Sequence, residues 1–150
     1  YHSPNLMLCD NRAGLRRLGV LDFQDALWGH PAYDLVSLLQ DARLDVPEES
    51  ERVLFERYCK GAAASDPGFD REAFTRAYAI LGAQRNTKIL GIFARLSLRD
   101  GKPAYLAHLP RITRYLSRNL RHPDLKPLKA WYEDALDSAL VEGGSSVACA

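Results

Sequence analysis

The sequence predicts a mainly α fold carrying one small β-hairpin, and three observations predict it. Two short apolar runs, Leu6 to Cys9 and Leu18 to Leu21, flank the turn-forming stretch Asp10-Asn11-Arg12-Ala13-Gly14. No convincing strand follows Asp22. From Pro31 onward, apolar residues recur at helical spacing between breaks that contain proline or glycine.

The first helix is expected over Ala32 to Leu44, with Pro31 at its start and Leu35, Leu38, Leu39 and Ala42 on one face. Pro47 opens a second, whose stripe is Val53, Leu54, Tyr58 and Ala62. Ser65-Asp66-Pro67-Gly68 breaks the chain, and Asp70 is placed to cap the longest helix, Arg71 to Leu98. Asp100-Gly101-Lys102-Pro103 stops that helix. A fourth is expected over Ala104 to Leu120, perturbed at Pro110, and a fifth over Leu128 to Leu140 after His122-Pro123-Asp124. Residues 142–150 are small and rich in Gly and Ser, the composition of a disordered tail, which leaves residues 1–141 as the domain.

At 150 residues, 47% hydrophobic and 26% charged, the chain is of a size to bury one core. Its 20 basic and 19 acidic residues leave a net charge of +1, which gives no overall attraction to nucleic acid or to an anionic membrane. Cys9, Cys59 and Cys149 are widely spaced and odd in number, against a disulfide framework or a zinc site. That usage suits the reducing cytoplasm. No apolar run approaches the roughly 18 residues of a membrane span, and the start has no signal-peptide pattern. The chain begins with Tyr1 rather than Met and is expected to be a piece of a longer protein.

The chemistry is concentrated before Leu35. Asn5 lies just before the first strand and Asp22 at the end of the second, so a hairpin brings them together. One carboxylate and one carboxamide oxygen suit a hard divalent cation. Magnesium takes one or two such protein ligands and leaves its other positions to water and phosphate oxygens. Two ligands are too few for a closed cage, so a phosphate-bearing substrate is implied.

The pattern resembles protein-kinase-like sites, in which an Asp-x-x-x-x-Asn loop is followed by a hairpin and Asp-Phe-Gly. Here Asn5 matches the Asn, and Asp22-Phe23-Gln24 matches the second element with Gln24 in place of Gly. The runs Tyr1-His2-Ser3-Pro4-Asn5-Leu6, Leu21-Asp22-Phe23-Gln24-Asp25-Ala26 and Gly29-His30-Pro31-Ala32-Tyr33-Asp34-Leu35 together resemble the aminoglycoside phosphotransferase superfamily. Leu90-Gly91-Ile92-Phe93-Ala94-Arg95-Leu96 and Arg99-Asp100-Gly101-Lys102-Pro103-Ala104-Tyr105-Leu106 are similar to a narrower branch. That branch holds the anomeric kinases of N-acetylmuramate and N-acetylglucosamine.

The resemblance implies a kinase-like C-terminal lobe, with Asn5 and Asp22 on Mg²⁺ and ATP as phosphate donor. It implies transfer to a sugar hydroxyl in peptidoglycan recycling. It also places the aspartate that orients the acceptor immediately before Tyr1, and the glycine-rich loop, strand lysine and helix glutamate in an N-terminal lobe. The chain alone is therefore expected to lack kinase activity. His2 is either a structural hydrogen-bonding residue or a phosphate contact. Asp25 either touches substrate or fixes its loop. Asp34, favoured electrostatically near a helix start, is expected to brace the catalytic loop.

Arg85 falls in the middle of the apolar stripe Phe74, Tyr78, Leu81, Ile89, Ile92 and Leu96. A guanidinium there needs a partner, such as Asp25, Asp34 or substrate, unless it snorkels outward. Arg111, Arg114, Arg118 and Arg121 form a basic stripe, read as a solvated face rather than a nucleic-acid surface. The rival functions are an aminoglycoside, choline-type or homoserine-type kinase, or a non-catalytic binding or regulatory remnant of the same fold.

Overall fold

The computed structural model describes residues 2–24 and 26–135. The expected tail, the end of the fifth helix and the boundary at 141 lie outside the described residues. Strands β1 (Leu6–Leu8) and β2 (Leu18–Val20) pair antiparallel in the register Leu6 with Val20 and Leu8 with Leu18. Among the described residues, five α-helices follow: α1 (Ala32–Leu39), α2 (Glu48–Ser65), α3 (Arg71–Leu98), α4 (Leu109–Asn119) and α5 (Lys126–Ala135). This is the expected mainly α fold with a small hairpin.

α3 is the axis of the helical part. Ala32, Val36, Cys59, Phe74 and Tyr78 form one core between α1, α2 and α3. Ala79, Ala83, Leu116, Leu120, Leu125 and Tyr132 form a second toward α4 and α5, and Ala42, Phe93 and Ile112 a third. The buried arc of α3 is thus wider than the single face expected, because neighbours pack against it from several sides. Asp70 caps it as its position suggested, accepting the Ala73 N–H at 3.0 Å. Gly82 lets α4 approach: a Cβ there would lie 2.5 Å from Asn119 Nδ2.

Three helix readings are corrected. α1 stops at Leu39, because Gln40 leaves helical torsions and the Asp41 carboxylate captures the N–H groups of Arg43 and Leu44. On α2, Val53 and Leu54 are exposed, and Glu51, Cys59 and half-buried Phe55 face inward instead. The inward face is selected by the aromatic cluster around Phe74 and by the polar partners of Glu51. The expected fourth helix is split into a 3-10 segment, Pro103–His108, and α4, with Pro110 in the first turn, where its missing N–H costs nothing.

Candidate active site

Among the described residues of 2–31, none is fully buried. The hairpin stands on the helical part rather than inside it. Residues Ser3–Asn5 form one 3-10 turn that runs directly into β1. The ladder extends past β2 through a Leu21 N–H to Asn5 carbonyl bond of 2.9 Å. That bond sets Asn5 beside Asp22.

The side chains then meet. Asn5 Nδ2 donates to Asp22 Oδ2 at 3.1 Å, and Gln24 Nε2 donates to Asp22 Oδ1 at 2.7 Å. Asp22 adopts φ 56, and among the described residues it is the one non-glycine in the left-handed region. Aspartate is among the few residues that tolerate it. Strained torsions of this kind gather where a side chain must be aimed. The sequence offered no signal for this torsion.

The donor set fits a hard cation. A carboxylate and a carboxamide oxygen at an exposed strand mouth match magnesium, and metal binding requires the Asn5 amide to turn its oxygen toward the site. Among the described residues, no three His, Cys, Asp or Glu side chains converge into a cage.

The helical part supports this site at two points. His30 packs tilted against Phe74, with ring centroids 5.7 Å apart, and accepts the Ala32 N–H at 3.2 Å, which fixes the entry to α1. At the other end of α1, Asp41 Oδ2 accepts the Ser3 N–H at 3.1 Å. Burial raises the Asp41 pKa, but hydrogen bonds from Arg43, Ser3 and Leu44 outweigh it and leave the carboxyl below its ordinary value. Sequence reasoning missed both His30 and Asp41. The signal available for Asp41 was a charged residue placed where the α1 apolar face ends.

The remaining candidates fall into place around these. His2 is half-buried beside this tie, and burial lowers its pKa, opposed by the Asp41 charge. Asp34 is exposed in the first turn of α1 and makes no hydrogen bond to residues 2–5. Asp25 lies outside the described residues.

Arg85 is buried at 9% exposure, so it does not snorkel, and its Nη1 donates to the Gln40 carbonyl at 3.0 Å rather than to Asp34. Burial lowers its pKa, and the nearby Asp41 charge opposes the fall.

Gln40 is the centre of a buried polar cluster. Its Oε1 accepts from Asn86 Nδ2 at 2.7 Å and Asn119 Nδ2 at 2.9 Å. Its Nε2 donates to Glu51 Oε1 at 2.8 Å and Asn119 Oδ1 at 3.1 Å. Tyr78 donates its hydroxyl to the same Glu51 oxygen at 2.8 Å, and burial first, then the Glu51 charge, drive the phenol pKa far upward.

Arg118 Nη1 sits 2.9 Å from Glu51 Oε2 with only 17% of its side chain exposed, in ion-pair contact without hydrogen-bond angles. Arg111 and Arg114 meet Asp45 at 3.2 and 3.0 Å. The basic stripe is therefore not a simply solvated face; three of its four arginines pair with acids of the α1–α2 connection and of α2.

The chain is similar in sequence to known proteins. The model of the phosphotransferase enzyme family matches residues 1–75. The N-acetylmuramate/N-acetylglucosamine kinase of Caulobacter vibrioides is 47% identical over 133 residues, covering 89% of this chain and 36% of the relative. Proteins of the same name from Neisseria meningitidis and Pseudomonas aeruginosa are each 43% identical, over 93% and 85% of this chain and 41% and 37% of theirs. The chain thus spans well under half the length of these curated relatives.

Proposed function

Because the chain belongs to the phosphotransferase enzyme family, we propose that it is the C-terminal part of an ATP-dependent kinase of N-acetylmuramate and N-acetylglucosamine. The acceptor is the anomeric hydroxyl, and the setting is cytoplasmic recycling of peptidoglycan sugars. The observation that carries this reading is the Asn5–Asp22 pair, joined at 3.1 Å across the hairpin. The high identity to three proteins named for these sugars supports the substrate.

In this reading Asn5 and Asp22 hold Mg²⁺, which when bound neutralises phosphate charge as the phosphoryl group moves. Gln24 orients the Asp22 carboxylate, and the hairpin ladder keeps the two ligands in register. Catalysis in this class is mainly positioning and electrostatic stabilisation, so it depends on groups from both lobes. The aspartate that orients the acceptor and the lobe that covers ATP belong to the longer parent. Residues 1–141 are the C-terminal lobe, and the chain alone is inactive.

The test is a kinase screen of the purified parent protein with ATP, Mg²⁺ and N-acetylmuramate, N-acetylglucosamine or an aminoglycoside, with products read by phosphorus NMR. Anomeric sugar phosphates are expected. Preference for the aminoglycoside would overturn the substrate, and no transfer to any acceptor would favour a non-catalytic binding role.

A further inference from the structure

We infer that Asp41 is a positioning residue for the Asn5–Asp22 site, acting through the Ser3 amide; this rests on the metal reading proposed above. Asp41 is only 1% exposed, an unusual place for a carboxylate unless it is fully hydrogen-bonded. Its two oxygens do different work. Oδ1 takes the N–H groups of Arg43 at 2.7 Å and Leu44 at 3.1 Å, which closes the turn after α1. Oδ2 reaches across 38 residues of chain to the Ser3 N–H at 3.1 Å.

Ser3 opens the 3-10 turn that ends at Asn5. The carboxylate therefore grips the first residue of the unit whose last residue is the metal ligand. The other end of that unit is held by the Leu21 N–H to Asn5 carbonyl bond. With both ends fixed, the Asn5 side chain is aimed at Asp22.

The anchor is itself immobilised. Gln40, the residue before Asp41, is also 1% exposed. Its side chain is bonded to Asn86, Asn119 and Glu51, and its carbonyl to Arg85. Its own N–H reaches the Val36 carbonyl at 2.8 Å. Gln40 is thus a fixed point in the core, and Asp41 carries its position outward to the site. The tie is separable from the fold, because the hairpin buries no side chain fully.

Two substitutions isolate the tie. Asp41→Asn keeps one acceptor oxygen, enough for the two N–H groups of the turn, and sets an NH₂ against the Ser3 N–H. Ser3→Pro removes the donor without touching the core. His2 is extended at φ −155, ψ 163, which is the conformation a following proline requires.

The experiment uses the full-length parent, with Mn²⁺ as the probe. Mn²⁺ affinity is read by electron paramagnetic resonance with ADP present, amide exchange is followed in the peptide covering residues 2–8, and melting temperature is recorded. Each single variant is expected to weaken Mn²⁺ by about tenfold, the size typical for losing a support of a metal ligand. Exchange in the peptide accelerates, and melting moves by less than about 3 °C. The double variant is expected to be no worse than the weaker-binding single, because both cut the same Ser3–Asp41 contact.

Unchanged Mn²⁺ affinity in both single variants, or losses that multiply in the double, would overturn the proposal. Mn²⁺ affinity that stays at the wild-type value in Asp22→Asn would instead overturn the metal reading on which it rests.

Discussion

The hairpin and the helical part solve opposite problems with the same residue types. In the hairpin, Asp22 is exposed, bonded to two amide side chains, and twisted into left-handed torsions. In the helical part, Glu51 is 8% exposed, bonded to Gln40 and Tyr78 and paired with Arg118. In the proposed reading one carboxylate is kept available to an incoming cation, while the other has its charge absorbed by the protein. Stability and chemistry are therefore separated in space. Substitutions in the two regions should fail in different ways.

The largest effect is expected at Asp22. Asp22→Asn keeps a residue that tolerates φ 56 but removes the charge. Phosphoryl transfer by the parent should fall by about 10³-fold, comparable to losing one key electrostatic group, while melting is unchanged. If the protein unfolds instead, the separation between the regions is broken.

Glu51→Ala should do the reverse. It leaves the guanidinium of Arg118 without its buried partner and the Tyr78 hydroxyl and Gln40 amide without their acceptor. The cost is expected to be about 3 kcal/mol in urea unfolding, because the buried Tyr78 and Gln40 donors lose their acceptor and Arg118 keeps only Glu48, at 3.8 Å.

A smaller loss should follow Gly82→Ala. Its Cβ would meet the Asn119 amide at 2.5 Å, so Asn119 must leave its bonds to Gln40 or α4 must shift. About 1–3 kcal/mol is expected, again by urea unfolding. Asp70→Ala removes one exposed cap of α3 and should cost about 1 kcal/mol with no change in metal affinity.

The pH dependence sharpens the same contrast. The Asp41 pKa in the folded state lies below its ordinary value of 3.8. Its contribution is therefore complete above that value and is lost as pH falls through the folded pKa. Amide exchange in residues 2–8 should rise in that acid window, and Asp41→Asn should abolish the rise.

Local signals carried much of this architecture. The turn residues between two apolar runs located the hairpin, and Asp70, Gly101 and Pro103 located the ends of α3. Asn5 and Asp22 were legible because hairpin pairing alone brings them together. What was not legible depends on packing across long separations. The end of α1 is set by Gln40 meeting Asn119, 79 positions away, and the Ser3 tie by Asp41. The inward face of α2 could not be read from hydrophobicity, because a glutamate is among the residues that face the core. The same holds for Arg111, Arg114 and Arg118, whose partners are acids of the α1–α2 connection and of α2 that helical periodicity does not reveal.

The central claim is that Asn5 and Asp22 form one metal half-site. A titration of the full-length parent with Mn²⁺ in the presence of ADP, followed by electron paramagnetic resonance, tests it most directly. Asp22→Asn and Asn5→Ala are each expected to weaken binding by at least about tenfold, with the fold intact by circular dichroism. Affinity equal to wild type in both variants would contradict the account.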